Sequence, residues 1–184
     1  MKIRTDMVTN SSSSSFVSVH LSGAKLMEVL NTHRDSFANV DAKIGDSFEF
    51  TEDETGDFAA PEDESQIAAR IAYMMEILTE DKSLADDIVR NGDEIVKTMD
   101  GLEWKYVEGS WGGENDMCFA EDYDDDFIRG KLGLDADAEV TEAVRDEFTE
   151  KASAGSYVET QRAKYDGDKF SFSSEGKLYL EEDL

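Results

Sequence analysis

The chain has one cysteine, one proline and two histidines among its 184 residues, and only 18 lysines and arginines. The single Cys118 excludes an intramolecular disulfide and predicts a reducing compartment. His20 and His33 are remote from Cys118 in sequence, which argues against a Cys–His catalytic pair, and His33 is interpreted as a structural helix residue. Met1 to Ser15 lacks the apolar segment of a signal peptide. The longest strongly apolar helical stretch, Gln66 to Leu78, is too short to span a bilayer. These absences predict a cytoplasmic protein that does not enter membranes.

Carboxylates, in contrast, are abundant. The 44 Asp and Glu residues give a formal net charge of −26 and an isoelectric point near 4.2. Charge of this sign repels nucleic acid and anionic membranes, and it attracts basic surfaces from beyond contact range. Hydrophobic residues make up 39% of the chain and aromatic residues 10%. This apolar content predicts that the protein folds, unlike acidic disordered chains, which cannot bury enough apolar surface.

The hydrophobic pattern predicts an α+β fold with antiparallel sheet elements, about four helices and a C-terminal β-meander. Helices are expected to open at Ser22 or Gly23, to begin at Pro61, to span Lys82 to Asn91 with Gly92 as the end, and to span Val140 to Lys151. Strands are expected at Lys2 to Asp6, Phe16 to Leu21, Asp46 to Thr51, Leu102 to Val107, Met117 to Phe119, Tyr157 to Tyr165, Phe170 to Ser173 and Lys177 to Leu180. An Asp166-Gly167 pair predicts a hairpin turn.

The hydrophobic pattern becomes strand-like from about residue 101 onward. We expect an N-terminal α+β subdomain over residues 1–100 and a β-rich subdomain with one helix over residues 101–184, or one continuous domain. The Gly109 to Gly113 segment is expected to be a turn between strands.

The acidity is concentrated in two stretches that contain no lysine or arginine. Nine carboxylates lie between Lys43 and Arg70, and eight lie between Lys105 and Arg129. Because repulsion within such stretches costs folding stability, a basic partner that neutralises them is one explanation, and solvated loops are the other. The candidate partner-binding residues are carboxylates predicted to lie in exposed loops: Asp122, Asp124, Asp125 and Asp126 as first choice, and Glu52, Asp53, Glu54 and Asp57 as second.

The residue patterns predict no catalytic, cofactor or metal site. An EF-hand loop starting at Asp122 would place Phe127 where glycine is required and Gly133 where the bidentate glutamate belongs. The Gly109 to Gly113 segment lacks the lysine of a phosphate-binding loop, and the aromatic residues are not interleaved with a basic patch. We therefore expect no enzyme activity, no cofactor and no direct binding of nucleic acid.

The N-terminal sequence Met1-Lys-Ile-Arg-Thr-Asp-Met-Val-Thr-Asn-Ser-Ser-Ser-Ser-Ser-Phe16 resembles the start of small proteins from gut Firmicutes and from their phages and mobile elements. With the size and acidity of the chain, it is similar to type II-A anti-CRISPR proteins, phage-encoded inhibitors of the RNA-guided nuclease Cas9. The resemblance is confined to these residues and includes no inhibitor motif. It implies a bacterial host cell and a basic nucleic-acid-binding partner, with Cas9 as the candidate.

Two other classes of function stay open at this point. One is a generic acidic cytosolic interaction module with no role towards nucleic acids. The other is an enzyme that uses surface carboxylates with a divalent metal, which is the class that the sequence supports least.

Overall fold

The computed structural model describes residues 13–53, 58–111, 120 and 123–183. Its strands are β1 (Ser13–Gly23), β2 (Ala42–Ile44), β3 (Ser47–Asp53), β4 (Met99–Trp111), β5 (Ser156–Tyr165) and β6 (Phe170–Tyr179). Its helices are α1 (Ala24–Thr32), α2 (Ile67–Thr79), α3 (Lys82–Arg90), α4 (Gly92–Thr98), α5 (Asp125–Leu132) and α6 (Glu142–Ala154). Short 3₁₀ turns occupy Arg34–Phe37, Glu64–Gln66 and Glu181–Asp183. The strands form one antiparallel sheet in the order β2-β3-β1-β4-β5-β6.

The predicted α+β class is confirmed, and β5 and β6 form the expected C-terminal hairpin. The described part of the chain contains six α-helices rather than about four, because α4 and α5 were not predicted. β2 was also missed, and the two segments predicted over residues 170–180 are one continuous strand, β6. The predicted strands at Lys2 to Asp6 and Met117 to Phe119 lie outside the described residues. Of the predicted Gly109 to Gly113 turn, residues 109–111 belong to β4 instead.

The chain forms two compact units. The larger unit comprises Ser15–Val107 and Thr160–Glu175. The smaller unit comprises the described parts of Met1–Ser14, Glu108–Glu159 and Gly176–Leu184. Both units are therefore discontinuous in sequence, which differs from the single boundary near residue 100 that the change in hydrophobic pattern suggested. The difference arises because β5 and β6 return after α6 and contribute residues to both units.

The larger unit buries one face of its strands against its helices. Val19 and Leu21 of β1 stand opposite Phe50 and Phe48 of β3, and all four are at most 4% exposed. Helix α2 contributes the predicted apolar stripe, of which Ile67, Ile71, Met74 and Met75 are fully buried. Period-2 and period-3.6 patterns therefore converge on one core, as the burial of apolar surface requires.

Two predicted helix boundaries in this unit are wrong for local reasons. Helix α2 begins at Ile67 rather than at Pro61, because Asp63 caps a preceding 3₁₀ turn by accepting a hydrogen bond from the Ser65 N–H at 2.8 Å. Gly92 begins α4 instead of ending α3. A Cβ atom at Gly92 would lie 3.0 Å from the Cβ atom of Ala68, so glycine permits the close approach of α2.

The smaller unit has its own core, formed around two fully buried side chains, Ile128 of α5 and Phe148 of α6. Leu178 and Leu180 cover them and are 2% exposed. The Tyr123 ring lies edge-on to Phe148 at 5.4 Å between ring centroids. This packing holds α6, which the sequence predicted, against α5, which it did not.

Candidate functional site: the acidic surface

Three of the four first-choice carboxylates begin helix α5. The Asp124 side chain caps the helix by accepting a hydrogen bond from the Phe127 N–H at 2.8 Å. Asp125 and Asp126 occupy the first turn, where carboxylates interact favourably with the helix dipole. The prediction that this run is a loop is therefore wrong, because an Asp-rich run is also a strong helix start. Asp122 lies outside the described residues.

Two arginines located farther along the chain neutralise part of this run. Asp126 pairs with Arg129 at 2.7 Å, and Asp125 pairs with Arg145 of α6. The side chain of Asp126 is still 92% exposed, and Asp124 is exposed as well. A stretch of sequence without cations is therefore not a surface without cations. The role of these carboxylates as partner contacts stays a prediction, with Asp124 and Asp126 the most accessible to a partner.

The second-choice carboxylates lie at the end of strand β3, in the other unit. Glu52 and Asp53 are exposed and stand opposite Val17 and Phe16 of β1. They were expected in a loop. Strand β3 instead extends to Asp53, because every residue of β3 has a pairing partner in β1. Glu54 and Asp57 lie outside the described residues. The role of this group as a contact surface also stays a prediction.

Helix α6 carries an acidic stripe that runs of charge along the sequence do not reveal. Glu142, Asp146 and Glu150 recur every four residues, so they lie on one side of the helix, and all three are exposed. None of the three has an ion-pair partner within the part of the chain that the structure describes. We call these residues the α6 stripe. Helical periodicity of carboxylates, rather than their local density, would have indicated it.

A second acidic feature lies at the C-terminal end of α2. Glu80 adopts φ 54° and ψ 16°, and it is the one non-glycine residue of the described ranges with a positive φ. Its N–H donates to the Glu76 carbonyl at 2.8 Å. A carboxylate here faces the negative end of the helix dipole, and Glu76 adds a like charge one turn away. Glu80 is therefore unfavourable for folding in three respects: backbone, dipole and charge.

We expect Glu80→Gly to raise the free energy of unfolding by about 1 kcal/mol, because glycine adopts this φ without steric cost. The gain is limited by the greater entropy of glycine in the unfolded chain. Urea unfolding followed by circular dichroism measures it. Glu80→Ala is the control, since it removes the charge but keeps a Cβ atom in the left-handed region. Equal stability of the two variants would show that charge alone is responsible.

The His33 ring lies between two carboxylates, that of Asp81, which is the N-cap of α3, and that of Asp87 within α3. The distance from Nδ1 to Asp81 Oδ2 is 3.0 Å, and that from Nε2 to Asp87 Oδ2 is 2.9 Å. Both ring nitrogens can donate at once only in the protonated imidazole. The hydrogen bond to Asp87 is the main cause that raises the pKa of His33, assisted by Asp81 against the opposing effect of burial. The geometry therefore favours an imidazolium that ties the end of α1 to α3.

Asp81 and Asp87 are held by further donors. The Asp81 carboxylate caps α3 by accepting from the N–H groups of Ser83 and Leu84, and the Ser36 hydroxyl donates to it at 2.7 Å. The pKa of Asp81 is lowered chiefly by the hydrogen bond from the Ser83 hydroxyl, and further by the hydrogen bonds from the Ser36 hydroxyl and the His33 ring. The pKa of Asp87 is lowered chiefly by its hydrogen bond to His33. This junction is fully paired, so its role is structural.

Within the described ranges, no group of three or more His, Cys, Asp or Glu side chains converges as metal ligands would. Cys118 and Asp122 are outside these ranges. No helix among the described residues has both the length and the apolar content needed to cross a membrane. Comparison of the chain with protein-family models, with curated proteins and with solved structures gives no match in any of the three.

Proposed function

We propose that the protein binds a basic groove of a nucleic-acid-handling protein and blocks its engagement of nucleic acid, with the nuclease Cas9 as the candidate partner. The observation that carries this proposal is the α6 stripe. Its three carboxylates lie on one exposed side of a regular helix and lack ion-pair partners among the described residues. They are therefore available to cations of another protein.

The stripe resembles a nucleic-acid strand in its electrostatics. Residues four positions apart in a helix are separated by about 6 Å along the axis, so the stripe is a rigid row of regularly spaced negative charges. Proteins that bind nucleic acid line their grooves with lysine and arginine to contact phosphates. Cas9, for example, holds its RNA–DNA heteroduplex in a positively charged channel. A row of carboxylates can occupy the same cations and exclude the nucleic acid.

The energetics of the free protein support the same conclusion. Like charges four residues apart destabilise a helix, and the stripe contains two such pairs in series, Glu142 with Asp146 and Asp146 with Glu150. A basic partner would convert this repulsion into attraction. The net charge of −26 would also accelerate the encounter with a basic groove, an effect that falls with ionic strength.

We expect the triple variant Glu142→Gln, Asp146→Asn, Glu150→Gln to bind guide-free Cas9 about tenfold more weakly than the wild type at low salt. The loss should shrink between about 50 and about 300 mM NaCl, because screening weakens the same interactions. Biolayer interferometry measures both. The variant should be about as stable as the wild type, because relief of repulsion within α6 offsets the lost interaction of Glu142 with the helix dipole. Weaker binding could then not be ascribed to unfolding.

The matched control removes the same number of charges elsewhere. Asp41→Asn, Asp46→Asn and Asp100→Asn neutralise three exposed carboxylates of the larger unit that have no ion-pair partner among the described residues. We expect this control to bind nearly as the wild type does. Equal weakening of both variants would show that net charge, and not the stripe, matters. If the wild-type protein neither bound Cas9 nor competed with DNA for it, Cas9 would be rejected as the partner.

A further inference from the structure

The solvent-facing side of helix α2 exposes two large apolar side chains on successive turns. Tyr73 is 45% exposed and Ile77 is 43% exposed. Four residues separate them, so they are neighbours on one face. Their positions contrast with the apolar stripe on the opposite side of the same helix, which is fully buried. Folding of the larger unit therefore accounts for one face of α2 and leaves the other uncovered.

The other large apolar side chains that the structure shows as exposed are accounted for locally or stand alone. The Phe127 ring stacks on Tyr123 at 4.7 Å between centroids. Tyr157 packs against Gly176. Leu134 is 37% exposed and lies after the end of α5 rather than on a helix face. Val89 is 62% exposed but has no large apolar neighbour on its own helix face. Among these exposed residues, Tyr73 and Ile77 are therefore the two large apolar side chains that lie next to each other on successive turns of one helix.

Two carboxylates flank this pair. Glu76 follows Tyr73 by three residues, so these two side chains are neighbours on the helix face, and Glu80 is the C-cap residue that ends α2, three positions after Ile77. Glu76 and Glu80 are both exposed. Negative charge and exposed apolar surface therefore occur together at this end of α2.

We propose that this face, which we call the α2 face (Tyr73, Glu76, Ile77 and Glu80), binds an arginine-bearing segment of the basic partner. The inference rests on the proposed function, because it identifies the contact that anchors the partner after the charges have attracted it. Carboxylates alone chiefly increase the association rate, whereas interface affinity is concentrated at buried aromatic and arginine residues. The α2 face supplies the aromatic ring, and the partner supplies the arginine.

The chemistry of the α2 face favours arginine over lysine. A guanidinium group can stack on the Tyr73 ring while its N–H groups donate to the carboxylate of Glu76 or Glu80 in a bidentate pair. The methylene groups of arginine would cover Ile77. An ammonium group is more strongly hydrated and cannot form the planar bidentate pair, so lysine would gain from charge alone. Partners that contact phosphate and bases are rich in arginine for the same geometric reasons.

The test compares the capped peptides tetra-arginine and tetra-lysine, which carry equal charge. Binding is followed through the Ile77 δ1-methyl resonance, which reports the α2 face rather than the whole acidic surface. We expect tetra-arginine to bind the wild type about tenfold more tightly than tetra-lysine. In Tyr73→Gln the preference for tetra-arginine should fall to about threefold, because stacking on the ring is lost while the bidentate pair with a carboxylate remains. Val89→Gln, which removes another exposed apolar side chain, is the matched control and should keep the preference.

Two results would overturn the inference. One is equal affinity of the wild type for both peptides, and the other is an arginine preference as large in Tyr73→Gln as in the wild type. Circular dichroism of both variants verifies that the helices are intact, and Tyr73→Phe, which retains the ring, should restore the preference. These outcomes are independent of the proposed function, because the binding of Cas9 by the α6 stripe variants is measured separately. Loss of arginine preference with intact Cas9 binding would reject only the α2 face.

Discussion

Replacement of Trp104 by alanine is expected to lower the free energy of unfolding by about 3–5 kcal/mol. Trp104 lies in the middle of β4, is 2% exposed and belongs to the core of the larger unit. Its Nε1–H donates to the Phe58 backbone carbonyl at 3.0 Å. Alanine removes the ring and the donor together. The substitution therefore leaves a cavity and a buried carbonyl without its partner, and both are costly.

Guanidinium chloride unfolding followed by far-UV circular dichroism measures this effect without relying on tryptophan fluorescence. Trp104→Phe separates the two contributions, because phenylalanine keeps much of the apolar volume but cannot donate. We expect its cost to be about 1–2 kcal/mol. A cost below about 1 kcal/mol for the alanine variant would contradict the central position of this residue, since core truncations of this size are rarely so mild.

Regular alternation and turn chemistry made much of the fold predictable. The alternation of Leu102, Trp104 and Tyr106 correctly placed one face of β4 in the core, where all three are buried. The Asp166-Gly167 hairpin turn is confirmed, with Gly167 at φ 84° and Asp166 accepting from the Lys169 N–H at 2.9 Å. Such signals are local, so a single sequence suffices to read them.

Elements whose local signals conflict were not predictable. The Asp-rich run before Phe127 has low hydrophobicity and suggested a loop, although capping and the helix dipole make the same residues begin α5. Gly92 suggested a helix end, although it begins α4 and a Cβ atom there would lie 3.0 Å from the Cβ atom of Ala68 in α2. Tertiary packing decides these cases, and it leaves no trace in the spacing of residues along the chain.

The sign of the charge at the candidate site was predictable from the sequence, but the positions of the charged side chains were not. Composition alone indicates an acidic surface that attracts basic partners. The pairing of Asp125 with Arg145 joins residues 20 positions apart, and that of His33 with Asp87 joins residues 54 positions apart. A count of charges along the sequence cannot reveal such pairs. It overestimated the free charge at the start of α5 and overlooked the α6 stripe.

Two cations of α6 pair with carboxylates of other elements, whereas several other cations pair within their own helix, as in α1, α3 and α5. Arg145 joins α6 to the start of α5, and Lys151 joins α6 to Glu182 at 2.9 Å while also pairing with Glu147 of the same helix at 3.3 Å. Cations thus neutralise some carboxylates of α6, while the three residues of the α6 stripe have no ion-pair partner among the described residues.

Replacement of His33 by glutamine is expected to remove a pH dependence of stability from the wild type. Because the pKa of His33 is raised in the folded state, its stabilisation is fully present below the unfolded pKa of about 6.5. That contribution is lost as the pH rises through the folded value. The pKa values of Asp81 and Asp87 are lowered, so their contributions are present above about pH 4 and are lost at more acidic pH. The junction is therefore most stabilising between about pH 4 and about pH 6.5.

Thermal unfolding at about pH 6 and about pH 9 tests this expectation. The midpoint temperature of the wild type should be lower at about pH 9 than at about pH 6, whereas that of His33→Gln should change little. At the lower pH, the free energy of unfolding of His33→Gln should be about 2 kcal/mol below that of the wild type. His20→Gln is the control, since His20 is 44% exposed and approaches Glu49 only to 3.7 Å. It should keep the wild-type decrease. A decrease that persists in His33→Gln would assign the titration to another group, and His33 would then contribute by packing rather than by its charge.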